Sequence, residues 1–357
     1  MKKEHKYPYE WTLKDANFTK DKGTVFSCFA CGGGSTMGYK LAGFDVLGCN
    51  EIDPKMMEAY KANHNPKYAY LEPIQTFKLR KDLPKELYNL DILDGSPPCS
   101  SFSMAGNRGK DWGKEKKFRE GQAEQVLDNL FFDFIDLAKE LQPKVVVAEN
   151  VKGLMLGNAQ QYVRKIFTAF EDAGYSLRVA PYLLNASKMG VPQRRERVFF
   201  IALRNDLAGP FMEQVDMFQS APKLELSFNE PIIPFKNIDD IEAKEGDTKM
   251  YPSLLEMWNR TNIGEEMFRT SGHKAISHYK INPENVLNTI IASESAGAFH
   301  WKTPRTLTKT ENCKGGSYPL DYNFLKLKAK YLIGMSVPPV MTANIATEIY
   351  NQWIKLF

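Results

Sequence analysis

Five short apolar runs, separated by segments of helical periodicity, dominate the first 205 residues and narrow the folds open to this chain. Residues 24–30, 44–50, 90–94, 144–149 and 198–203 are rich in Val, Ile, Leu and Phe, the composition of strands covered on both faces. Between them Leu127, Leu130, Phe131, Phe134, Leu137, Ala138 and Leu141 recur every three or four positions, marking a helix that Pro143 ends. Residues 162–174 repeat the pattern with Val163, Ile166, Phe167 and Phe170. Strand, helix, strand in this order predicts an α/β fold with a doubly wound, mostly parallel sheet, whose ligands bind at the carboxyl ends of the strands.

The rhythm breaks after Asn205. Residues 206–286 carry scattered prolines (Pro210, Pro222, Pro231, Pro234, Pro252, Pro283) and no alternation, which predicts a second, smaller module. Residues 337–357 read as a closing helix with Ala343, Ile345, Ala346, Ile349, Tyr350 and Trp353 on its apolar side. The expected division is 1–22 as an extension, 23–205 as the main domain, 206–286 as the second module, and 287–357 as the end of that module and the closing helix that returns to the main domain. Five scattered cysteines do not make a disulfide framework, and no apolar run reaches the ~18 residues of a membrane span, so a cytoplasmic protein is expected.

Two glycine-bearing and cysteine-bearing segments sit at strand ends. In Val25-Phe-Ser-Cys-Phe-Ala-Cys-Gly-Gly-Gly-Ser-Thr-Met-Gly38 a strand runs into glycines and then a helix. Such a loop lets a ligand approach the backbone. The dinucleotide fingerprint fails, because Met37 stands where the third glycine is needed, and no Gly-Lys-Ser/Thr completes a P-loop. Glu51 and Asp53 end the next strand, where a carboxylate can accept ribose hydroxyls. A nucleoside without a pyrophosphate fits best, S-adenosyl-L-methionine being the commonest; a turn that merely packs helix on sheet fits equally well. Cys28 and Cys31 also make a Cys-x-x-Cys, better read as two buried small residues because no second pair completes a zinc site.

Asp94-Gly-Ser-Pro-Pro-Cys-Ser-Ser-Phe-Ser103 places Cys99 just past a strand, behind two prolines that fix the backbone. This suits a nucleophile, although a structural cysteine in a Pro-rich turn has the same pattern. Ala148-Glu-Asn-Val151 puts an acid at the end of an apolar strand, and Pro192-Gln-Arg-Arg-Glu-Arg-Val198 puts arginines before another. A carboxylate ending a buried strand is costly unless it serves a site.

In this order the motifs resemble the cytosine-5 DNA methyltransferases. Phe29-Ala-Cys-Gly-Gly-Gly34 is similar to the family's cofactor loop, Asn50-Glu-Ile-Asp53 to its ribose-binding strand end, and Pro98-Cys99 to its nucleophile motif. Glu149-Asn-Val151, Gln193-Arg-Arg-Glu-Arg197, Pro304-Arg-Thr-Leu-Thr308 with Glu311, and Gly334-Met-Ser-Val-Pro-Pro339 follow in the family order. The likeness covers about residues 24–205 and 287–353. It implies a Rossmann-like S-adenosylmethionine-dependent methyltransferase fold with a target-recognition domain in 206–286. It also implies methylation of cytosine C5 in a short double-stranded DNA sequence, with base flipping, in restriction-modification or phage self-protection.

By the same resemblance Cys99 adds to cytosine C6, and Glu149, protonated through burial, serves N3. Arg195 meets O2, and Arg197 supports the loop. Phe29 stacks on the adenine, the backbone of Ala30, Cys31, Gly32 and Gly34 faces the methionine part, and Glu51 binds the ribose. Ile52, Ile74, Ser96, Pro98, Leu130, Ser336 and Val337 fall at other cofactor-wall positions. Residues 101–120, with a local charge of +3, match the loop that closes over the base. Four departures are visible: Cys31 for a glycine, Ser100 for a Gln, Met335 for an Asn, and Glu72-Pro73-Ile74 where an Asp often contacts the adenine amine.

The implied partner is double-stranded DNA, the implied state a monomer on the nucleoid of a bacterial or phage-infected cell, beside a separately acting restriction endonuclease. Three other functions compete. A tRNA cytosine-5 methyltransferase is disfavoured because 206–286 lack the cysteine of that branch's Cys-Phe-Thr signature. A silent DNA-binding homologue is disfavoured because Cys99, Glu149 and Arg195 are all present. A nicotinamide-dependent oxidoreductase has no use for Pro98-Cys99.

The net charge of +4 conceals an uneven distribution: residues 206–250 hold 4 basic and 10 acidic groups, whereas 251–286 hold 4 of each. An acidic stretch belongs away from phosphates. Base reading is therefore expected in 251–286, with Trp258, Arg260, Arg269, His273, Lys274, Tyr279 and Lys280 as candidates, and 206–250 as outward-facing connection.

Overall fold

The computed structural model describes residues 5–98, 129–156, 159–216, 219–247, 249–268, 274–293 and 297–357. Its strands are β1 (Thr24–Cys28), β2 (Asp45–Glu51), β3 (Tyr68–Leu71), β4 (Ile92–Gly95), β5 (Val145–Val151), β6 (Tyr175–Leu177), β7 (Tyr182–Asn185), β8 (Gln193–Arg194) and β9 (Glu196–Arg204). The main sheet runs β3-β2-β1-β4-β5-β9-β6, with β7 also on β9. All pairings from β3 to β5 are parallel, whereas β9 lies antiparallel to β5, β6 and β7. The mostly parallel doubly wound sheet is as expected. The reversed β9 is not, because its apolar run carries no mark of direction.

Alternate residues of the central strands face two cores. Phe26, Cys28, Leu93, Val146 and Ala148 pack beneath α3 (Ile74–Phe77), α4 (Leu130–Leu141) and α5 (Ala159–Asp172). Val25, Ile92, Val145 and Val147 pack beneath α1 (Gly34–Leu41) and α10 (Pro339–Gln352). The order reverses between β1 and β4, which opens a crevice at their carboxyl ends. On its far side α2 (Pro54–His64) begins at Asp53, whose carboxylate accepts from the Lys55 and Met56 amides, with Pro54 in the first helical position.

The remaining elements are α6 (Asn205–Ala208), the hairpin β10 (Met212–Gln214) and β11 (Ser220–Pro222), and α7 (Pro252–Arg260). They continue with β12 (Glu266–Phe268), β13 (Lys274–Lys280), β14 (Leu287–Asn288), β15 (Gly297–Phe299), α8 (Lys309–Gly315) and α9 (Ala329–Met335). The small sheet β12-β13-β15 runs through position 286, so the packing does not break where the composition does. Residues 206–250 are not only outward connection, since Leu224, Ile233, Phe235 and Ile238 are buried. Part of their acidity is internal as well. Asp239 accepts from His300 Nε2 at 2.9 Å and Trp301 Nε1 at 2.7 Å.

Beside it Arg305 forks onto both oxygens of Glu311 at 2.7 and 2.8 Å, and Thr308 and Glu311 cap α8 reciprocally. This explains the Pro304-Arg-Thr-Leu-Thr308 motif: its charges lock the segment at Asp240 and Ala243 to α8. Residues 5–22 are tied down through Trp11 Nε1 on the Ser317 carbonyl at 3.0 Å and Tyr7 Oη on Thr347 Oγ1 at 2.6 Å. Among the described residues no helix is long and apolar enough to cross a membrane.

Candidate active site

The loop after β1 turns on backbone geometry that only a few residue types accept easily. Phe29 and Cys31 both have φ near 50°, and Gly33 has φ 83°. The turn presents the Cys31 amide to Glu51 Oε2 at 2.7 Å. On the other side the Gly32 carbonyl receives Tyr322 Oη at 2.7 Å and lies 3.2 Å from His64 Nε2. Burial brings the His64 imidazole down to about 3, so it is neutral and Nε2 carries the donated proton. The loop is thus pinned with its carbonyl outward and its amide toward the ligand side.

Glu51 Oε1 also accepts from the amides of Ile52 and Asp53, at 2.8 and 2.9 Å. Burial pushes the Glu51 carboxyl up, while these amides pull it down. Glu51 is the strand-end acid that faces the crevice, since Asp53 Oδ1 is taken by the start of α2.

A crevice lies beside these groups, at the carboxyl ends of the strands. Phe29, Cys31, Glu51, Ile52, Ile74, Ser96 and Pro98 line it, and so do Asn50, Asp53, Met56, Glu72, Pro73 and Met335. Ala30 instead turns toward Met57 and Tyr60 under α2. Gly32 and Gly34 serve packing: a Cβ on Gly32 would strike Leu332 and Tyr322, and one on Gly34 would strike the Val337 carbonyl. Leu130 is in the core at the start of α4, Val337 is in the opposite core, and Ser336 Oγ bonds the Leu332 carbonyl at 2.8 Å. Met56 was legible in principle, one helical turn beyond the cap at Asp53. Met335 and Glu72 stood out in sequence only as departures from the family pattern.

Among the described residues the lining carries three carboxylates, Glu51, Asp53 and Glu72, and no Lys or Arg. Such a wall suits a cationic ligand and repels a diphosphate. Its apolar slot of Phe29, Ile52, Pro73 and Ile74 accepts a flat purine, and the Glu51 carboxylate accepts hydroxyls. The residues therefore fit S-adenosyl-L-methionine.

Next to this crevice β4 and β5 end side by side, Gly95 pairing with Ala148. Asn150 Nδ2 holds the Pro97 carbonyl at 3.1 Å, which fixes the backbone one residue before the lining Pro98. Cys99 and residues 101–120 lie outside the described residues. Glu149 is nearly buried, and Arg197 Nε stands 2.9 Å from its Oε1. Burial lowers the Arg197 guanidinium, against the support of Glu149.

Arg195 is placed elsewhere than expected. Its guanidinium donates to the carbonyls of Ile290 (3.1 Å), Gly334 (2.9 Å) and Ser336 (2.7 Å). Residues two apart in one strand share a face, and Arg195 and Arg197 part company because Arg195 falls in the break between β8 and β9. Arg195 ties β8 and β9 to the last motif, and Arg197 is the arginine beside Glu149.

The Cys-x-x-Cys pair forms no disulfide: Cys28 and Cys31 are both free thiols. Burial, with Asp94 and Cys49 nearby, drives the Cys28 thiol well up, which removes it as a thiolate. Of the base-reading candidates, Lys280 lies over the Trp258 ring at 3.7 Å and bonds the Thr261 carbonyl at 3.1 Å, and Tyr279 Oη receives the Asn288 amide at 3.1 Å. These three are spent on contacts within the segment 258–288. Arg260 is exposed, and Arg269, His273 and the Lys274 side chain lie outside the described residues.

A mostly parallel sheet with a carboxylate-lined nucleoside crevice and a buried acid–arginine pair beside it defines an S-adenosylmethionine-dependent methyltransferase. The sequence profile of the C-5 cytosine-specific DNA methylases matches residues 23–351, and the chain belongs to that family. It is 29% identical over 343 residues to the Type II methyltransferase M1.HphI of Haemophilus parahaemolyticus, covering 91% of this chain and 86% of that one. It is 36% identical over 184 residues to the Type II methyltransferase M.FnuDI of Fusobacterium nucleatum, covering 51% of this chain and 47% of that one. The structure of S. pombe Dnmt2 methyltransferase superposes with a TM-score of 0.59 at 17% identity, covering 92% of this chain and 98% of that one, a likeness of fold. The protein is a DNA cytosine-5 methyltransferase that uses S-adenosyl-L-methionine.

Proposed function

We propose that the enzyme methylates C5 of one cytosine within a short double-stranded DNA sequence, as the modification partner of a restriction system or in phage self-protection. It does so as a monomer, beside a separately encoded endonuclease. The observation that carries the mechanism is the Glu149–Arg197 pair at 2.9 Å, on the strand whose Asn150 holds the Pro97 carbonyl.

Cytosine C5 is too weak a nucleophile to take a methyl group unaided. The Cys99 thiolate adds to C6, its sulfur forming a bond as the ring's C5–C6 π pair shifts toward C5. Glu149 serves N3 of the flipped base, and Arg197 rather than Arg195 donates to O2, since both Nη atoms of Arg195 are engaged by backbone carbonyls. The bound cofactor supplies an electrophilic methyl group to C5. A base then takes the C5 proton, the C5–C6 double bond re-forms and Cys99 leaves as thiolate. Because C6 is shielded within a stacked duplex, the cytosine must be flipped out. Glu51 binds the ribose of the cofactor, and Phe29, Ile52 and Ile74 sandwich its adenine.

Purified protein given labelled S-adenosyl-L-methionine is expected to label double-stranded DNA. Label confined to tRNA would overturn this reading in favour of the RNA branch. Cys99→Ala is expected to abolish transfer while keeping cofactor affinity, and turnover in that variant would remove Cys99 from its role.

A further inference from the structure

Position 73, where the family often carries an Asp toward the adenine amine, is a proline that has neither a side-chain acceptor nor an N–H. The crevice nevertheless has a second carboxylate on that wall. Glu72 lines the cavity beside Pro73 and Ile74, and its backbone carbonyl is fastened to the ribose strand by Asn50 Nδ2 at 2.8 Å. Arg80 Nη1 holds Glu72 Oε1 at 2.8 Å. Arg80 is itself fixed by Asp82 through a two-point fork of 2.9 and 2.6 Å. The chain Asp82–Arg80–Glu72 therefore orients one carboxylate oxygen away from the cavity. Oε2 has no hydrogen bond among the described residues.

The other acids on the wall have other tasks: Glu51, oriented by three backbone amides, is assigned to the ribose, and Asp53 Oδ1 caps the start of α2. We propose that Glu72 Oε2 accepts the exocyclic amine of the cofactor's adenine, so that Glu72, clamped by Arg80, selects a 6-amino purine. A carboxylate accepts and never donates, so it welcomes the amine of adenine and opposes the 6-oxo group of hypoxanthine. This inference rests on the crevice being the cofactor site.

Isothermal titration of S-adenosylhomocysteine and its hypoxanthine counterpart, S-inosylhomocysteine, tests it on the intact protein without any turnover. Wild type is expected to favour the adenine compound at least about tenfold, the worth of one hydrogen bond to a charged group. In Glu72→Gln, Arg80 keeps the amide oxygen, and the amide nitrogen faces the cavity. The preference should then fall away or reverse toward hypoxanthine, a change of sign that a merely structural role would not give. Arg80→Met, in which Glu72 loses its clamp, should blunt the discrimination, and it serves if the Glu72 variant does not fold. Discrimination equal to wild type in either folded variant, or none in wild type, overturns the proposal. Glu51→Gln separates the two readings: unchanged affinity for S-adenosylhomocysteine there removes the crevice as the cofactor site. Weakened affinity there, with unaltered discrimination in Glu72→Gln, removes the role of Glu72 alone.

Discussion

Arg197 meets Glu149 across paired strands, Nε to Oε1 at 2.9 Å, whereas Arg195, two residues earlier, spends its guanidinium on backbone carbonyls of the last motif. The proposed catalytic role therefore falls to Arg197 and the structural one to Arg195, and substitutions should separate them.

Arg197→Ala is expected to lower kcat by about 10²–10³-fold, the scale of losing one donor to developing charge. Its melting temperature should change little relative to that of Arg195→Ala. Single-turnover methylation and a thermal melt on the same preparation check both halves.

Arg195→Ala should instead destabilise the fold, because three carbonyls lose their donor inside the protein. A loss of roughly 3 kcal/mol or more is expected, measured by urea denaturation. An Arg195→Ala protein that unfolds like wild type but has lost only kcat would reverse the assignment of the two arginines.

Asp94 gives a pH prediction. Burial pushes its carboxyl up to about 7, with Glu149 adding to the rise and hydrogen bonds from Ser27 and Tyr39 opposing it. The folded protein therefore holds a proton that the unfolded chain releases near its ordinary value of 3.8. Between about pH 4 and pH 7 the native state binds more protons, so stability falls as pH rises through that window and levels off above it. Asp94→Asn keeps a partner for both hydroxyls and removes the titration. It should flatten the fall and raise stability above pH 7 by roughly 2–4 kcal/mol. Melts across the pH range decide it, and a variant with the wild-type slope would show that Asp94 is not the group responsible.

Gly34→Ala tests the packing role of the cofactor loop's last glycine. Its Cβ would strike the Val337 carbonyl, which is backbone and cannot rotate away. A loss of about 1–3 kcal/mol is expected, together with weaker cofactor binding as the turn between α9 and α10 is displaced. Denaturation and titration calorimetry should both respond.

Much of this was legible in the chain itself. The five apolar runs became β1, β2, β4, β5 and β9 because buried parallel strands are written as uninterrupted Val, Ile and Leu. β3, β6 and β7 were not, since each has only three or four residues and lies toward the sheet's outer end, where burial no longer imposes that composition. The strand-end acids were visible as types and spacings. Which acid faces the ligand and which caps a helix was not, because Glu51 and Asp53 look alike until Pro54 starts α2 and claims Asp53. The same ambiguity exchanged Arg195 and Arg197. A motif gives the order of side chains along a strand, and only the neighbouring chain segments decide which one is free.

The glycines of α1 have a consequence in time. Gly34 and Gly38 let the start of α10, near Val337 and Pro339, lie directly on the helix that carries the cofactor loop. A ribosome adding ~5–20 residues per second makes that covering helix roughly 15–60 s after α1. Through that interval the nascent chain has its strand-end acid but no second wall for the loop, so the loop takes its final packing only once α10 has been made.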